Sequence, residues 1–127
     1  MKQLTRAEEQ VMQVLWELEN AYVRDIIEKL PEPRPAYNTV STIVRILEKK
    51  GFVGYTAHGK THEYHPLVSK KAYRKSYFKG FLSNYFGNSY QNLASFFTRE
   101  QNLSLEELEE IRKMIDNEIE RKATKDK

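Results

Sequence analysis

Cysteine is missing from all 127 residues. Disulfides and thiolate metal sites are thereby excluded, and the composition fits a reducing compartment. No apolar run approaches the ~20 residues that a membrane-spanning helix needs, and no charged-then-apolar leader opens the chain. We therefore expect a soluble, unprocessed protein. Glycine-rich phosphate loops and nucleophile elbows are lacking, as are paired carboxylates in an apolar setting, so no catalytic residues are expected. Histidine is scarce: His58, His62 and His65 are the three present. His62 and His65 stand three apart near a strand end. That spacing suits neither helical i, i+4 ligation nor same-face strand ligation, so neither a metal nor a cofactor is expected. There is no internal repeat.

What the chain does have is segregated charge. Its formal net charge is only +3. From Pro33 to Lys79, however, ten Lys or Arg stand against two acids, Glu48 and Glu63. That stretch carries +8, and the remainder therefore carries −5. Such separation suits one face built for a polyanion.

The hydrophobic pattern predicts the elements. Thr5 and Glu8 have capping-box spacing, and Val11, Val14, Leu15 and Leu18 recur at helical period, with Trp16 beside them as an apolar anchor. Asn20-Ala21 reads as a short turn. Val23, Ile26, Ile27 and Leu30 predict a second helix, stopped by Pro31, Pro33 and Pro35. A third helix is expected from Tyr37 or Asn38 to Lys50, with Asn38 as N-cap and Gly51 as the stop. Val40, Ile43, Val44 and Leu47 form its apolar stripe. Two short segments flanking Ala57-His58-Gly59-Lys60 then predict a β-hairpin reaching Pro66.

Past Leu67 the pattern is helical. Ser69 caps a helix carrying Ala72, Tyr73, Tyr77, Phe81 and Tyr85, broken at Gly87-Asn88-Ser89. A short aromatic helix spans Tyr90 to Phe97. Ser104 and Glu107 repeat the capping-box spacing before a charged helix with Leu108, Ile111, Ile115 and Ile119 on one face. Glu106 to Glu110 places favourable negative charge in its first turns. The Lys-rich end from Lys122 is expected to be disordered.

Three helices followed by a hairpin is the order of a winged helix-turn-helix. The expected fold is therefore mainly α with a small β-hairpin wing: a DNA-binding domain over 1–66 and a helical dimerisation arm over 67–127. In this arrangement the helix from Tyr37 enters the major groove. Asn38, Thr39, Ser41 and Thr42 are residue types that bond base edges, and Arg45 and Lys49 lie further along. His58 and Lys60 at the wing would run along the DNA backbone, adding affinity and salt dependence. In the arm, Tyr73, Tyr77, Phe81, Tyr85, Phe86, Tyr90, Phe96 and Phe97 are more large apolar groups than three helices bury alone, and Tyr73, Tyr77, Phe81, Tyr85, Leu108, Ile111 and Ile115 are the candidate dimer contacts. That surplus points to a twofold dimer reading a palindromic operator. The other reading of those aromatics is a ligand pocket, which would make the chain a ligand-sensing or protein-interaction module without a specific operator.

Taken together, several segments resemble the penicillinase-repressor family of bacterial winged-helix regulators. They are Leu4-Thr5-Arg6-Ala7-Glu8, Val14-Leu15-Trp16, the run from Tyr37 to Gly51, and Leu103-Ser104-Leu105-Glu106-Glu107-Leu108. The resemblance implies a dimeric cytoplasmic repressor of genes for β-lactam resistance or another stress response. It implies that Asn38, Thr39, Ser41, Thr42 and Arg45 face double-stranded DNA, and Tyr37, at the start of the same helix, is a further candidate. It further implies release by proteolysis in the arm: a membrane-bound sensor metalloprotease starts the signal, and the cut falls at an Asn-Phe bond. The matching bond here is Phe96-Phe97, with Phe where the family has Asn. Copper-responsive members carry a Cys-based tail, which this chain lacks.

Overall fold

The structure, a computed structural model, describes residues 1–125. Its elements run α1 (Arg6–Leu18), α2 (Val23–Lys29), α3 (Tyr37–Lys49), β1 (Val53–His58), β2 (Thr61–Pro66), α4 (Lys70–Phe86), α5 (Tyr90–Arg99) and α6 (Leu105–Lys125). The residues gather into two units, Met1–Phe78 and a second beginning at Lys79, with α4 contributing to both.

In the first unit, α1 starts at a complete capping box. Thr5 Oγ1 accepts from Glu8 N at 3.2 Å, and Glu8 Oε1 accepts from Thr5 N at 3.0 Å. Glu8 is itself buried, and Lys50 Nζ donates to it at 2.6 Å. The cap is thereby joined to the end of α3. Burial opposes the Glu8 charge, but the bonds from Lys50 and Thr5 outweigh it and hold the carboxyl below its ordinary range.

The apolar stripes of α1 (Val11, Met12, Val14, Leu15), α2 (Val23, Ile26) and α3 (Val40, Val44, Leu47) meet in one core with Phe52, Val53 and Tyr64 of the hairpin region. Fully burying each large apolar side chain contributes roughly 1.5–3 kcal/mol. Trp16 edges this core, and its Nε1 donates to Val68 O at 2.8 Å.

α3 ends in a Schellman motif. Gly51 takes φ +82°, its N–H reaches Glu48 O, and Phe52 N reaches Leu47 O at 2.9 Å. Phe52 and Leu47, the apolar pair that accompanies such an ending, are both buried. The chain is thus aimed directly into β1. The hairpin pairs His58 with Thr61 across a two-residue turn, Gly59-Lys60. Gly59 supplies the positive φ, +65°, that such turns need.

Four expectations are corrected. Asn38 does not cap α3: the extended residue before the helix is Ala36, which has no capping side chain, and Asn38 lies inside the first turn. α3 and α2 each stop one residue early, at Lys49 and Lys29, because Lys50 and Leu30 serve as their C-caps. Ala21 is more than a turn. It exchanges backbone hydrogen bonds with Tyr64 and adds a one-residue third strand to the sheet. Lys122 to Lys125 continue α6 rather than fray, and the rest of the expected disordered tail, residues 126–127, lies outside the described residues.

In the second unit, Phe81 packs on Phe86, and Phe86 on Phe96, each pair with ring centroids 5.5 Å apart. Ser89 caps α5 through Asn92 N. Ser104 and Glu107 form a reciprocal capping box for α6, at 3.1 and 3.2 Å. No residue of α6 is buried. Among the described residues, no helix is long and apolar enough to cross a membrane.

Candidate nucleic-acid interface

α3 carries two faces. Val40, Val44 and Leu47 anchor it, which leaves Tyr37, Asn38, Thr39, Thr42, Arg45 and Lys49 exposed and Ser41 half-buried. Because no side chain caps this 13-residue helix, its first amides remain available to an anion. Thr42 Oγ1 donates to Asn38 O at 2.8 Å. Its hydrogen is thereby committed, and what it can present to a base is an acceptor and a methyl group. Arg45 Nη2 donates to Ser41 Oγ at 3.3 Å, which folds the guanidinium back along the helix.

The hairpin stands beside this face. Tyr37, Ser41 and Arg45 of α3 and Lys60 of the turn line a single trough of about 670 Å3. Asn38, Thr39 and Thr42 lie outside it on the open face, and Lys49 lies a further two turns along α3. His58 ends β1 instead of sitting in the turn, with Nε2 3.5 Å from Glu63 Oε1 across the strands. His62 shares a sheet face with Tyr55 and Tyr64, and His65 is on the opposite face.

Of the three histidines, all expected on or near the DNA face, His62 lines the trough; Tyr22, Arg24, Tyr55 and Tyr64, which also line it, carry no local sequence signal. Tyr55 and Tyr64 meet by hairpin register, and Tyr22 and Arg24 join them because the Ala21–Tyr64 bridge lays the start of α2 along β2. Tyr64 is buried, and its hydroxyl is raised above its ordinary value, first by that burial and then by the Glu48 charge.

The residues expected in a dimer face are placed as follows. Tyr73 lies in the core of the first unit, between Trp16 and Phe52. Tyr77 and Tyr85 are exposed, Tyr85 to 74%. Phe81, Leu108 and Ile111 are half-buried and Ile115 is exposed. Phe96 and Phe97 are half-buried within α5.

The family model of the penicillinase repressor matches residues 4–117. The chain belongs to the penicillinase repressor family. Among its relatives, the methicillin resistance regulatory protein MecI of Mammaliicoccus sciuri is 27% identical over 114 residues, covering 89% of this chain and 93% of that protein. The penicillinase repressor of Bacillus licheniformis is 24% identical over 121 residues, covering 94% of each. The solution structure of the DNA-binding domain of the repressor BlaI covers 56% of this chain and 88% of that domain, at 26% identity and a TM-score of 0.49. Penicillinase repressors are transcriptional regulators with a winged-helix fold. This chain is accordingly a DNA-binding repressor and not an enzyme.

Proposed function

We propose that this penicillinase repressor binds a two-half-site operator as a homodimer, with α3 in the major groove of each half-site. The observation that carries the reading is the uncapped, exposed start of α3, where Asn38, Thr39 and Thr42 stand clear of the core on the same helix as Arg45, which lines a trough with Lys60. Tyr37, Asn38, Thr39, Ser41 and Thr42 read base edges, and Arg45 reaches a base or a phosphate. Lys49, His58 and Lys60 follow the backbone, and their contribution is salt-dependent rather than sequence-dependent.

Residues 1–66 then form the DNA-binding domain and 67–127 the dimerisation arm. Support for the arm comes from α6. It is 21 residues long and buries none of them in its own chain, while Ile115 and Ile119 remain exposed on its apolar side. A second copy covering this stripe together with Tyr77, Phe81 and Tyr85 removes it from water. The names of the relatives point to genes of β-lactam resistance as the regulated class. Release follows the family's mode, cleavage in the arm initiated by a membrane-bound sensor metalloprotease, with the repressor itself in the cytoplasm. Because Phe96 and Phe97 sit within α5, cleavage of the bond between them requires α5 to unwind locally.

The deciding experiment is binding of the full-length protein to its own upstream DNA and to scrambled DNA across a salt series. Selective binding by a dimer to a two-half-site element is expected. Equal, weak and steeply salt-dependent binding to both DNAs would overturn the operator reading and favour a ligand-sensing module.

A further inference from the structure

The trough between α3 and the wing contains groups that base reading does not use. Ala21 and Tyr64 exchange backbone hydrogen bonds of 2.9 and 2.8 Å, which lay the start of α2 along β2. Asp25 fixes that start by accepting from Tyr22 N at 2.9 Å. Tyr22 and Arg24 thereby come to line the same trough as Arg45 of α3 and Tyr55, Lys60 and His62 of the hairpin. Among the residues lining it, three cations (Arg24, Arg45 and Lys60) stand against one carboxylate, Glu48. The floor is aromatic: Tyr64 is buried, and His62 is stacked on Tyr55 with ring centroids 4.1 Å apart.

A cationic rim over flat rings suits a sugar–phosphate strand. Guanidinium and ammonium groups pair with phosphates, phenol hydroxyls donate to their oxygens, and ring faces accept the apolar side of deoxyribose. A small effector asks for a site that encloses most of its surface. Here the rim is open, with Tyr37 exposed to 52% and Tyr55 to 44%.

We propose that this trough seats one strand of the DNA backbone beside the groove read by α3. Arg24 of α2 and Lys60 of the wing each take a phosphate, and Tyr22 donates its hydroxyl to one of them. The inference rests on the operator reading above and extends it to residues outside α3 and the wing tip. Its consequence is mechanical. Phosphate contacts carry no sequence information but set register. A strand held by both α2 and the hairpin fixes how α3 lies in the major groove.

Full-length Arg24→Ala, Arg24→Lys and Tyr22→Phe proteins, titrated on upstream and scrambled DNA over ~50–200 mM salt, test this seat. Arg24 is exposed, so thermal midpoints equal to wild type are expected for both Arg24 variants, and Tyr22→Phe keeps the half-buried ring and removes only its hydroxyl. Arg24→Ala should weaken both DNAs by the same factor and lower the slope of log K against log[salt] by about one. Over that fourfold salt range, one phosphate contact accounts for roughly a 3.5-fold change in affinity. Arg24→Lys should keep the slope, because it keeps the charge. Tyr22→Phe should weaken both DNAs at an unchanged slope. A wild-type salt slope in Arg24→Ala would overturn the proposal, as would a loss confined to upstream DNA. If wild type itself shows no preference for upstream DNA, the operator reading fails, and the Arg24→Ala slope still decides the seat.

Discussion

Removing one oxygen atom from Tyr73 tests how the first turns of α4 are held to α1. The ring is only 8% exposed and lies 5.8 Å from Phe52 and 5.9 Å from Trp16 by centroid. Phenylalanine keeps that packing, so Tyr73→Phe deletes the polar contacts alone. The hydroxyl donates to Glu9 Oε1 at 2.9 Å and accepts, at 3.4 Å, from the buried N–H of Leu4. A hydrogen bond to a charged acceptor contributes about 1.5–3 kcal/mol, and stranding a buried N–H adds to its loss, so a penalty of about 2–3 kcal/mol is expected. Urea unfolding at fixed protein concentration should show a lower midpoint with unchanged m.

A second readout comes from alkali. Burial, reinforced by the bond to Glu9, pushes the Tyr73 hydroxyl up to about 12 from its ordinary 10. The fold favours the neutral phenol. Its contribution is therefore fully present below pH 10 and lost as pH rises from about 10 to 12. At ~1.36 kcal/mol per pH unit, the loss has a ceiling of about 2.7 kcal/mol, most of it the cost of burying a phenolate and the rest the bond to Glu9. The stability gap between wild type and Tyr73→Phe should narrow across that window, with the remaining tyrosines cancelling in the difference. A penalty below ~0.5 kcal/mol, within the range of an ordinary surface substitution, would refute this account, and so would a gap that stays constant from pH 10 to 12.

Other expectations concern DNA, assembly and acid. The double change Thr39→Ala and Thr42→Ala should weaken upstream DNA more than scrambled DNA, by about 1–3 kcal/mol per lost base contact, and equal losses would remove base reading from this face. Lys60→Ala should weaken both DNAs and lower the salt slope by about one, whereas an unchanged slope would take the wing off the backbone. Tyr85→Glu with Ile115→Glu should give monomers in sedimentation, since both side chains are exposed; a persistent dimer would move the interface. Phe81 is a poorer probe there, because its ring packs against Phe86 in its own chain. Glu8 carries a depressed folded pKa, so its stabilising contribution is present above the ordinary carboxylate range and lost as pH falls through the depressed value. Glu8→Gln should be less stable at neutral pH, with a smaller loss on acidification, as read by denaturant titration at several pH values.

Much of the architecture was legible because its signals are local. Capping boxes at Thr5/Glu8 and Ser104/Glu107, the stop at Gly51 and the turn at Gly59 all depend on residues within a few positions of one another. The buried stripe of α3 follows from the 3.6-residue period alone. The start of α3 was less legible. Asn38 is a common capping residue, yet the chain is already extended at Ala36 after Pro35, and the helix begins a residue before the expected cap. Of the two roles expected for that side chain, the cap is absent, and Asn38 is exposed on the candidate DNA face.

Local pattern along the chain sets the order of elements, the apolar side of each helix, the concentration of positive charge between Pro33 and Lys79, and the residue types on the exposed face of α3. These properties follow from periodicity and composition along a contiguous stretch. Tertiary structure alone decided which distant residues share a surface. The Ala21–Tyr64 bridge joins positions 43 apart and brings Tyr22 and Arg24 beside Lys60 and Arg45. The Glu8–Lys50 pair ties the first helical cap to the end of α3, 42 positions later. Tyr73, one aromatic in an apparently continuous stripe, separates from Tyr77 and Tyr85 because its ring is buried with Trp16 and Phe52 while theirs remain exposed. Hydrogen bonds and packing between distant segments depend on where the chain returns in space, and a one-dimensional pattern does not encode that return.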